Sequence, residues 1–180
     1  MQDQPDELFL VVDDNDTILG TERRAVVHAR GLRHRSVHVL VFNPAGELLI
    51  QLRSAAKDSY PLHWDNSVGG HVGPGETYEQ AAARELAEEL GLRGPLRFLR
   101  KTPASAQTGW EFTCLYQLTT DAPVCPDRDE IVRCEFIAPR RLLAEIRSGA
   151  RRATPALLDA LIFYLQEEPD ERGHQQPAAG

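Results

Sequence analysis

The sequence predicts an α/β domain in which a mixed β-sheet is packed between helices. Segments with alternating or continuous apolar residues, typical of strands, are interleaved with segments whose apolar residues recur with helical periodicity. At 180 residues, with 42% hydrophobic and 26% charged residues, the chain is long enough for one folded domain with a substantial core. We therefore expect a single domain over residues 1–168 and a disordered tail over residues 169–180, which are rich in proline, glycine and glutamine.

The individual elements follow from these patterns and from the turn residues between them. The predicted strands are Leu8–Val12, Val37–Phe42, Leu48–Leu52, Leu96–Arg100, Trp110–Leu118 and Ile131–Ile137. The predicted helices are Thr21–Ala29, Tyr78–Leu90, Arg140–Arg147 and Pro155–Gln166. The stretch Asp13–Thr17, closed by Gly20, has the composition of a turn, and Asn43–Glu47 predicts a hairpin connection.

Composition and charge limit the class of function. No apolar run approaches the length of a membrane span, and the acidic start MQDQPDELF does not resemble a signal peptide, so we expect a cytoplasmic protein. The net charge of −7 argues against general nucleic-acid binding, although local basic residues can still bind a small anionic substrate. The sequence leaves the oligomeric state open, a homodimer included.

The stretch RELAEELG, Arg84–Gly91, places three acids at the end of a predicted helix. Glu85, Glu88 and Glu89 fall together on the face opposite the apolar stripe, where like charges three or four residues apart repel. Because Gly91 is a natural helix stop, the acids occupy the last turns, where the helix dipole favours basic residues. A sequence selected only for helix stability would avoid this arrangement.

Two interpretations of the acids remain at this point. The first is a solvated charged face, which is common on surface helices. The second is a site for a divalent cation, because carboxylate oxygens on one helical face, completed by water and substrate phosphates, suit Mg²⁺ or Mn²⁺.

The residues upstream favour the cation. The chain reads GGHVGPGETYEQAAARELAEELGL from Gly69 to Leu92, a glycine-rich loop followed by the helix. Its spacing of Gly70, Glu76 and the Arg84–Gly91 stretch resembles the Nudix box at every position. The resemblance implies a Nudix-type α/β/α sandwich with a mixed β-sheet, and a pyrophosphohydrolase that attacks a small-molecule diphosphate with water.

The resemblance also implies roles for these residues. Glu85, Glu88 and Glu89 would hold Mg²⁺ or Mn²⁺, joined by a backbone carbonyl of Gly69 or Gly70. Glu76 and Arg84 would orient the acids. The base that accepts the proton of water would be Glu85 or Glu89, or else Glu130, which lies in an acidic stretch similar to a late loop of such hydrolases.

A second resemblance covers the first half of the chain. The run from Val11 to His71 is similar to the isopentenyl diphosphate isomerase that is built on the Nudix fold. Residues matching that family's metal and diphosphate ligands are His28, His34, His71, Arg24, Arg53 and Lys57. The spacing between the first two histidines differs slightly from that family. The resemblance therefore implies an additional metal site at His71 and His28, and diphosphate binding by the three cations.

The departures from the isomerase favour hydrolysis. Gly69 stands where the isomerase has a cysteine, and a glycine cannot move a proton. The box is intact here, and where the isomerase has two glutamates in a later strand this chain has only Glu111. Isomerase-like activity and a noncatalytic sensor of a diphosphate ligand remain the alternatives. His38 occupies one of the alternating positions of the predicted strand Val37–Phe42, which indicates a structural role for this histidine.

Overall fold

The computed structural model describes residues 6–167, in which nine strands and four α-helices alternate. The strands are β1 Leu8–Val12, β2 Ile18–Arg23, β3 His34–Phe42, β4 Leu48–Arg53, β5 Trp64–Asp65, β6 Val68–His71, β7 Arg97–Thr102, β8 Glu111–Thr119 and β9 Ile131–Ile137. The helices are α1 Arg24–Arg30, α2 Tyr78–Leu90, α3 Pro139–Arg147 and α4 Pro155–Glu167. The predicted tail, 169–180, and the boundary at residue 168 lie outside the described residues.

Strand β3 organises the sheet because it is long and apolar enough to be buried on both faces. It pairs in parallel with β8 along its whole length and antiparallel with β6, while β7 extends the sheet beyond β8. Strand β4 carries β5 and β9 and joins β3 at the hairpin around Phe42 and Leu48. The sheet is therefore mixed, as predicted.

The two faces of the sheet carry separate cores. Helix α2 packs through Leu86 and Leu90 on one face, against alternate residues of β3 such as Val39. Helices α3 and α4 pack on the other face, where Leu157 meets Leu40. Helices therefore cover both faces, which confirms the α/β/α sandwich.

The N-terminal prediction was wrong in one place. The segment Ile18–Arg23, expected to be a turn ending at Gly20 followed by a helix from Thr21, is strand β2. Its residues are mostly exposed, so no apolar pattern marks them, and they are extended because they pair with β1. The helix begins only at Arg24, after β2 has ended.

Two further strands, β5 and β6, were not predicted at all. Strand β6 has the sequence VGGH, which lacks strand propensity, and it is extended because residues 68–71 pair with β3. This pairing has a functional consequence, since β6 carries Gly69, Gly70 and His71 to the edge of the sheet beside α2.

Within residues 6–167, no helix combines the length and the apolar character that crossing a membrane requires.

Candidate functional site

Helix α2 is fixed at both ends by local sequence. Thr77 caps its first turn through a reciprocal capping box with Gln80, and Gly91 ends it in the left-handed conformation at φ 67°. No basic residue lies in its last turn. The acids predicted from the sequence therefore stand at a helix end whose dipole does not favour them.

Arg84 holds the acidic groups together. Its Nε donates to Glu76 Oε1 at 2.7 Å, and its Nη1 donates to Glu85 at 2.8 Å and to Glu88 at 3.1 Å. Its Nη2 donates to the backbone carbonyl of His71 at 3.0 Å, which ties helix α2 to strand β6. These contacts raise the pKa of Arg84, chiefly through Glu76, and Arg84 in turn lowers the pKa of Glu76.

Glu85 lies against the backbone of β6 in space that only a glycine leaves. A Cβ atom at position 70 would overlap the carboxyl group of Glu85. Burial raises the pKa of Glu85 to about 7, although the neighbouring Arg84 acts in the opposite direction. The glycine therefore lets a carboxylate approach the backbone, and burial makes the charged form of that carboxylate costly.

Glu89 is the deepest of the acids, with only 5% of its surface exposed. Its Oε2 accepts a hydrogen bond of 2.8 Å from Gln51 Nε2 on β4. Burial, with Glu85 and Glu130 nearby, raises the pKa of Glu89 well above the usual range. The first interpretation of the acids, a solvated charged face, therefore does not describe them. Only Glu88 is largely exposed, because the chain before β9 folds over the end of α2 and Asp127 N–H donates to the carbonyl of Glu89.

A second cluster brings together His28, His34, His71 and Glu111. One potential ligand atom from each residue lies within 4.8 Å of the others. The Nε2 atoms of His34 and His71 are 3.5 and 3.6 Å from the same oxygen of Glu111, both buried and without a hydrogen-bond partner among the described residues. His34 Nδ1 lies 2.9 Å from the carbonyl of Leu32, so Nδ1 carries a proton and donates it to that oxygen.

The protonation of this cluster also suits a cation. Burial lowers the pKa of His71 to about 4, so its imidazole is neutral at physiological pH. Although burial acts in the opposite direction, the interaction with His34 and His71 brings the pKa of Glu111 well below its usual range. Two buried, unpaired imidazole nitrogens directed at one carboxylate form the donor set that a divalent transition metal prefers.

The predicted substrate cations have partners within the protein. Lys57 Nζ is 3.1 Å from Glu130 Oε2, and Arg53 donates to Asp65 at 2.8 Å and to the backbone carbonyl of Ser59. Arg24 is buried, stacks over the ring of Phe9 and lies 3.7 Å from Glu7. These contacts hold the cationic groups in fixed places at the wall of one cavity.

That cavity, of about 980 Å³, brings nearly all predicted site residues together. Those that line it are Arg24, His28, Arg53, Lys57, Gly69, Gly70, His71, Arg84, Glu85, Glu88, Glu89 and Glu130. Glu76 and His34 do not line it: Glu76 stands behind Arg84, and His34 is buried next to His71 and Glu111. The carboxylates and the histidine cluster thus border the same space.

Sequence reasoning missed Gln51 and Asp65, which hold Glu89 and Arg53, and it gave no role to Glu7, which lines the cavity. Gln51 had one available signal: it is a polar residue within an otherwise apolar strand. Nothing in the sequence indicates which carboxylate it contacts, because Glu89 is 38 positions away.

Comparison with known proteins supports the same interpretation. The NUDIX domain matches residues 32–157. A Nudix hydrolase of Pseudomonas aeruginosa is 39% identical over 164 residues, covering 88% of this chain and 94% of that protein. An isopentenyl-diphosphate Delta-isomerase of Nocardia farcinica is 33% identical over 158 residues, covering 84% of this chain and 90% of that protein.

A solved structure is also similar. The crystal structure of a Deinococcus radiodurans protein superposes with a TM-score of 0.77 at 33% identity, covering 87% of this chain and 98% of that protein. A MutT protein of Methanosarcina mazei gives a TM-score of 0.57 at 22% identity, a likeness of fold alone. The fold is therefore shared with proteins of known architecture.

Proposed function

Because this chain belongs to the Nudix family, we propose that it is a Mg²⁺- or Mn²⁺-dependent pyrophosphohydrolase, which cleaves the diphosphate bond of a nucleoside diphosphate or related diphosphate-X substrate. The observation that carries the proposal is the convergence of Glu85, Glu88 and Glu89 on the cavity around a single arginine, Arg84. Burial raises the pKa of Glu85 and of Glu89, so the three acids carry their full negative charge together at neutral pH only when a cation joins them.

The carboxylates fit a hard divalent cation. Glu85, Glu88 and Glu89 would hold it, with a carbonyl oxygen of Gly69 or Gly70, because these oxygen donors suit Mg²⁺ or Mn²⁺. When bound, the ion supplies electrostatic stabilisation of the charge that develops on the phosphate oxygens. Arg84, held by Glu76, keeps two of the carboxylates in position before substrate arrives.

The chain offers three groups that can accept the proton of the attacking water: Glu85, Glu89 and Glu130. Glu85 has a pKa of about 7, near the value that suits proton transfer at neutral pH. Glu130 lines the cavity but is held by Lys57, so it can act only where substrate phosphates draw that lysine away. The choice among the three stays open.

The histidine cluster supports an additional metal position. His71 and His28, with His34 and Glu111, would hold a second divalent cation beside the first. Its nitrogen-rich donor set differs from the carboxylates, which allows the two positions to differ in metal preference. Metal content of the purified protein, compared between wild type and His71→Ala, tests this position without requiring turnover.

Arg53, Lys57 and Arg24 are the proposed phosphate ligands. We expect Arg53→Ala chiefly to raise KM, because a cation that binds ground state and transition state alike contributes to binding rather than to kcat. Steady-state kinetics at saturating metal measure the split. Arg133→Ala is a matched control. Arg133 is exposed on β9 and does not line the cavity, and it pairs across the sheet with Leu52, the neighbour of Arg53. A fall in kcat with unchanged KM would place Arg53 in a different role.

Isomerase-like activity is the second candidate, favoured by the histidine cluster and by the isomerase relatives. Gly69 weighs against it, because the position offers no proton donor. A noncatalytic sensor is the third candidate, and the retention of every box acid weighs against that.

One experiment separates these candidates. Purified protein is incubated with Mg²⁺ or Mn²⁺ and a library of diphosphates, isopentenyl diphosphate included, and the products are identified by mass. We expect release of phosphate or of a phosphorylated product from at least one class. Isomerised prenyl diphosphate without hydrolysis would favour the isomerase. Binding without any product would favour the sensor, and calorimetry without Mg²⁺ or Mn²⁺ uptake would contradict the metal assignment.

A further inference from the structure

One wall of the cavity is a floor formed by four adjacent strands. Strand register places Gly69 of β6, His38 of β3, Leu115 of β8 and Arg100 of β7 in one row across the sheet. All four line the cavity. Side chains in such a row point to the same face, so together they form a continuous surface.

This row begins at the carboxylates and leads away from them. Gly69 precedes Gly70, the residue against which Glu85 packs. Because neighbouring strands are about 5 Å apart, His38 lies about 5 Å from Gly69, the start of the row, and Arg100 lies about 14 Å from it. The row itself is on the face of the sheet that α4 covers, and the cavity joins the two faces past the glycines of β6. A diphosphate held at the carboxylates can therefore extend its remaining group, X, through the same cavity over this row.

His38 is half-buried at the cavity wall and makes no hydrogen bond to any residue within 6–167. A neutral imidazole offers one donor and one acceptor, and both are available here. The ring lies against the backbone of β6: a Cβ at position 69 would be 3.0 Å from His38 Cδ2. Gly69 thus has a second consequence besides removing a proton donor, because it leaves the space in which the His38 ring rests.

Arg100 is held at the other end of the row by helix α4. Its guanidinium forms an ion pair with Asp159 and stacks over the ring of Phe163 at 4.4 Å. Its Nε is buried and has no partner among the described residues. An arginine fixed in this way presents donors to the cavity at little further cost in side-chain entropy.

Leu115 lies between His38 and Arg100, and the neighbouring row of the same floor is polar. The hydroxyl groups of Ser36 and Thr113 are joined by a hydrogen bond of 2.7 Å, and Thr102 and Gln107 line the same cavity. The ring nitrogens of His38 have no partner in the described part of the chain, and an apolar chain placed over this floor would remove them from water without replacing their hydrogen bonds. A ligand with acceptor oxygens or ring nitrogens would satisfy them.

We propose that His38 and Arg100 are the specificity-determining residues of this enzyme, and that they bind X through hydrogen-bond acceptors on X. The group X is then a nucleoside or a sugar rather than a prenyl chain. This inference rests on the proposed diphosphate hydrolysis and names the residues that select its substrate. It also assigns His38 a ligand-binding role in place of the structural role expected from the sequence.

The test compares substrates that differ only in X. Hydrolysis of CDP, ADP, UDP-glucose and isopentenyl diphosphate is measured for wild type, His38→Leu and Arg100→Met, with inorganic pyrophosphate as the probe that lacks an organic X. We expect each substitution to lower kcat/KM for the preferred nucleotide or sugar substrate roughly tenfold relative to pyrophosphate, the effect of losing one hydrogen bond. Comparing CDP and ADP with UDP-glucose separates a base from a sugar as the source of the acceptors.

Two matched controls exist, one on β7 and one in the loop before β5. Arg97→Met makes the same change on β7, where Arg97 is exposed and bonded to Gln117 outside the cavity. His63→Leu repeats the histidine change at a residue that does not line the cavity. Both controls should leave the substrate ratio unchanged.

The outcomes separate this inference from the proposed function. If wild type hydrolyses diphosphates but the two variants keep its substrate ratios, or if isopentenyl diphosphate is the preferred substrate, the inference is overturned while hydrolysis stands. Binding of CMP and AMP by calorimetry gives a readout that needs no turnover. Weaker binding in both variants supports the inference, and equal binding in all proteins, or none in wild type, overturns it.

Discussion

Glu89→Gln is expected to lower kcat for diphosphate hydrolysis about 10²- to 10³-fold while the protein stays folded. Glu89 is buried, and its carboxylate faces the cavity beside Glu85. Glutamine has nearly the same shape and retains an oxygen that can accept from Gln51, so packing is preserved while the negative charge is lost. The loss should therefore fall on cation binding and on catalysis rather than on folding.

Kinetics at several Mg²⁺ concentrations, with circular dichroism as the check on folding, measure this effect. Glu79→Gln is the matched control, because Glu79 is in the first turn of the same helix, exposed and outside the cavity. Wild-type turnover in Glu89→Gln would show that the buried acid takes no part in the reaction, and the carboxylate assignment would then fail. A collapse of the fold would be inconsistent with the small change in shape.

The second large effect is on stability and depends on pH. The pKa of Glu85 is about 7 in the folded chain, against 4.5 for an ordinary glutamate. Between these values the folded protein keeps a proton that the unfolded chain releases, so the free energy of unfolding of metal-free protein falls as pH rises. Glu85→Gln removes this dependence. Metal-free Glu85→Gln should match wild type near pH 4.5 and be more stable by about 3 kcal/mol above pH 7.

Denaturant unfolding of both proteins across this range measures the difference. His71 titrates within this range and Glu111 below it, but both residues are present in both proteins and largely cancel in the comparison. Adding Mg²⁺ above pH 7 should stabilise wild type more than the variant, because the ion binds the charged carboxylate of the folded state. A stability difference that does not change with pH would contradict the raised pKa of Glu85.

Local features of the sequence were predicted well. The bounds of α2 follow from residues inside and next to the helix, Thr77 and Gly91, so a short window contains the information. The same holds for the box, whose residues lie on one loop and one helix. Strand β2 was missed because its extended form depends on pairing with β1 rather than on any apolar pattern of its own.

By itself, the sequence determined the sandwich of helices and sheet and the set of acidic and glycine residues that match the Nudix box, because periodicity, capping and spacing are properties of neighbouring residues. Only the tertiary structure decided which acids are buried, which cations are already paired and which histidines meet. Lys57 and Glu130 are 73 positions apart, and Ser36 and Thr113 are 77 apart. Contacts at such separations set the dielectric surroundings and hydrogen-bond partners of each group, and these in turn set its charge and its availability to a ligand.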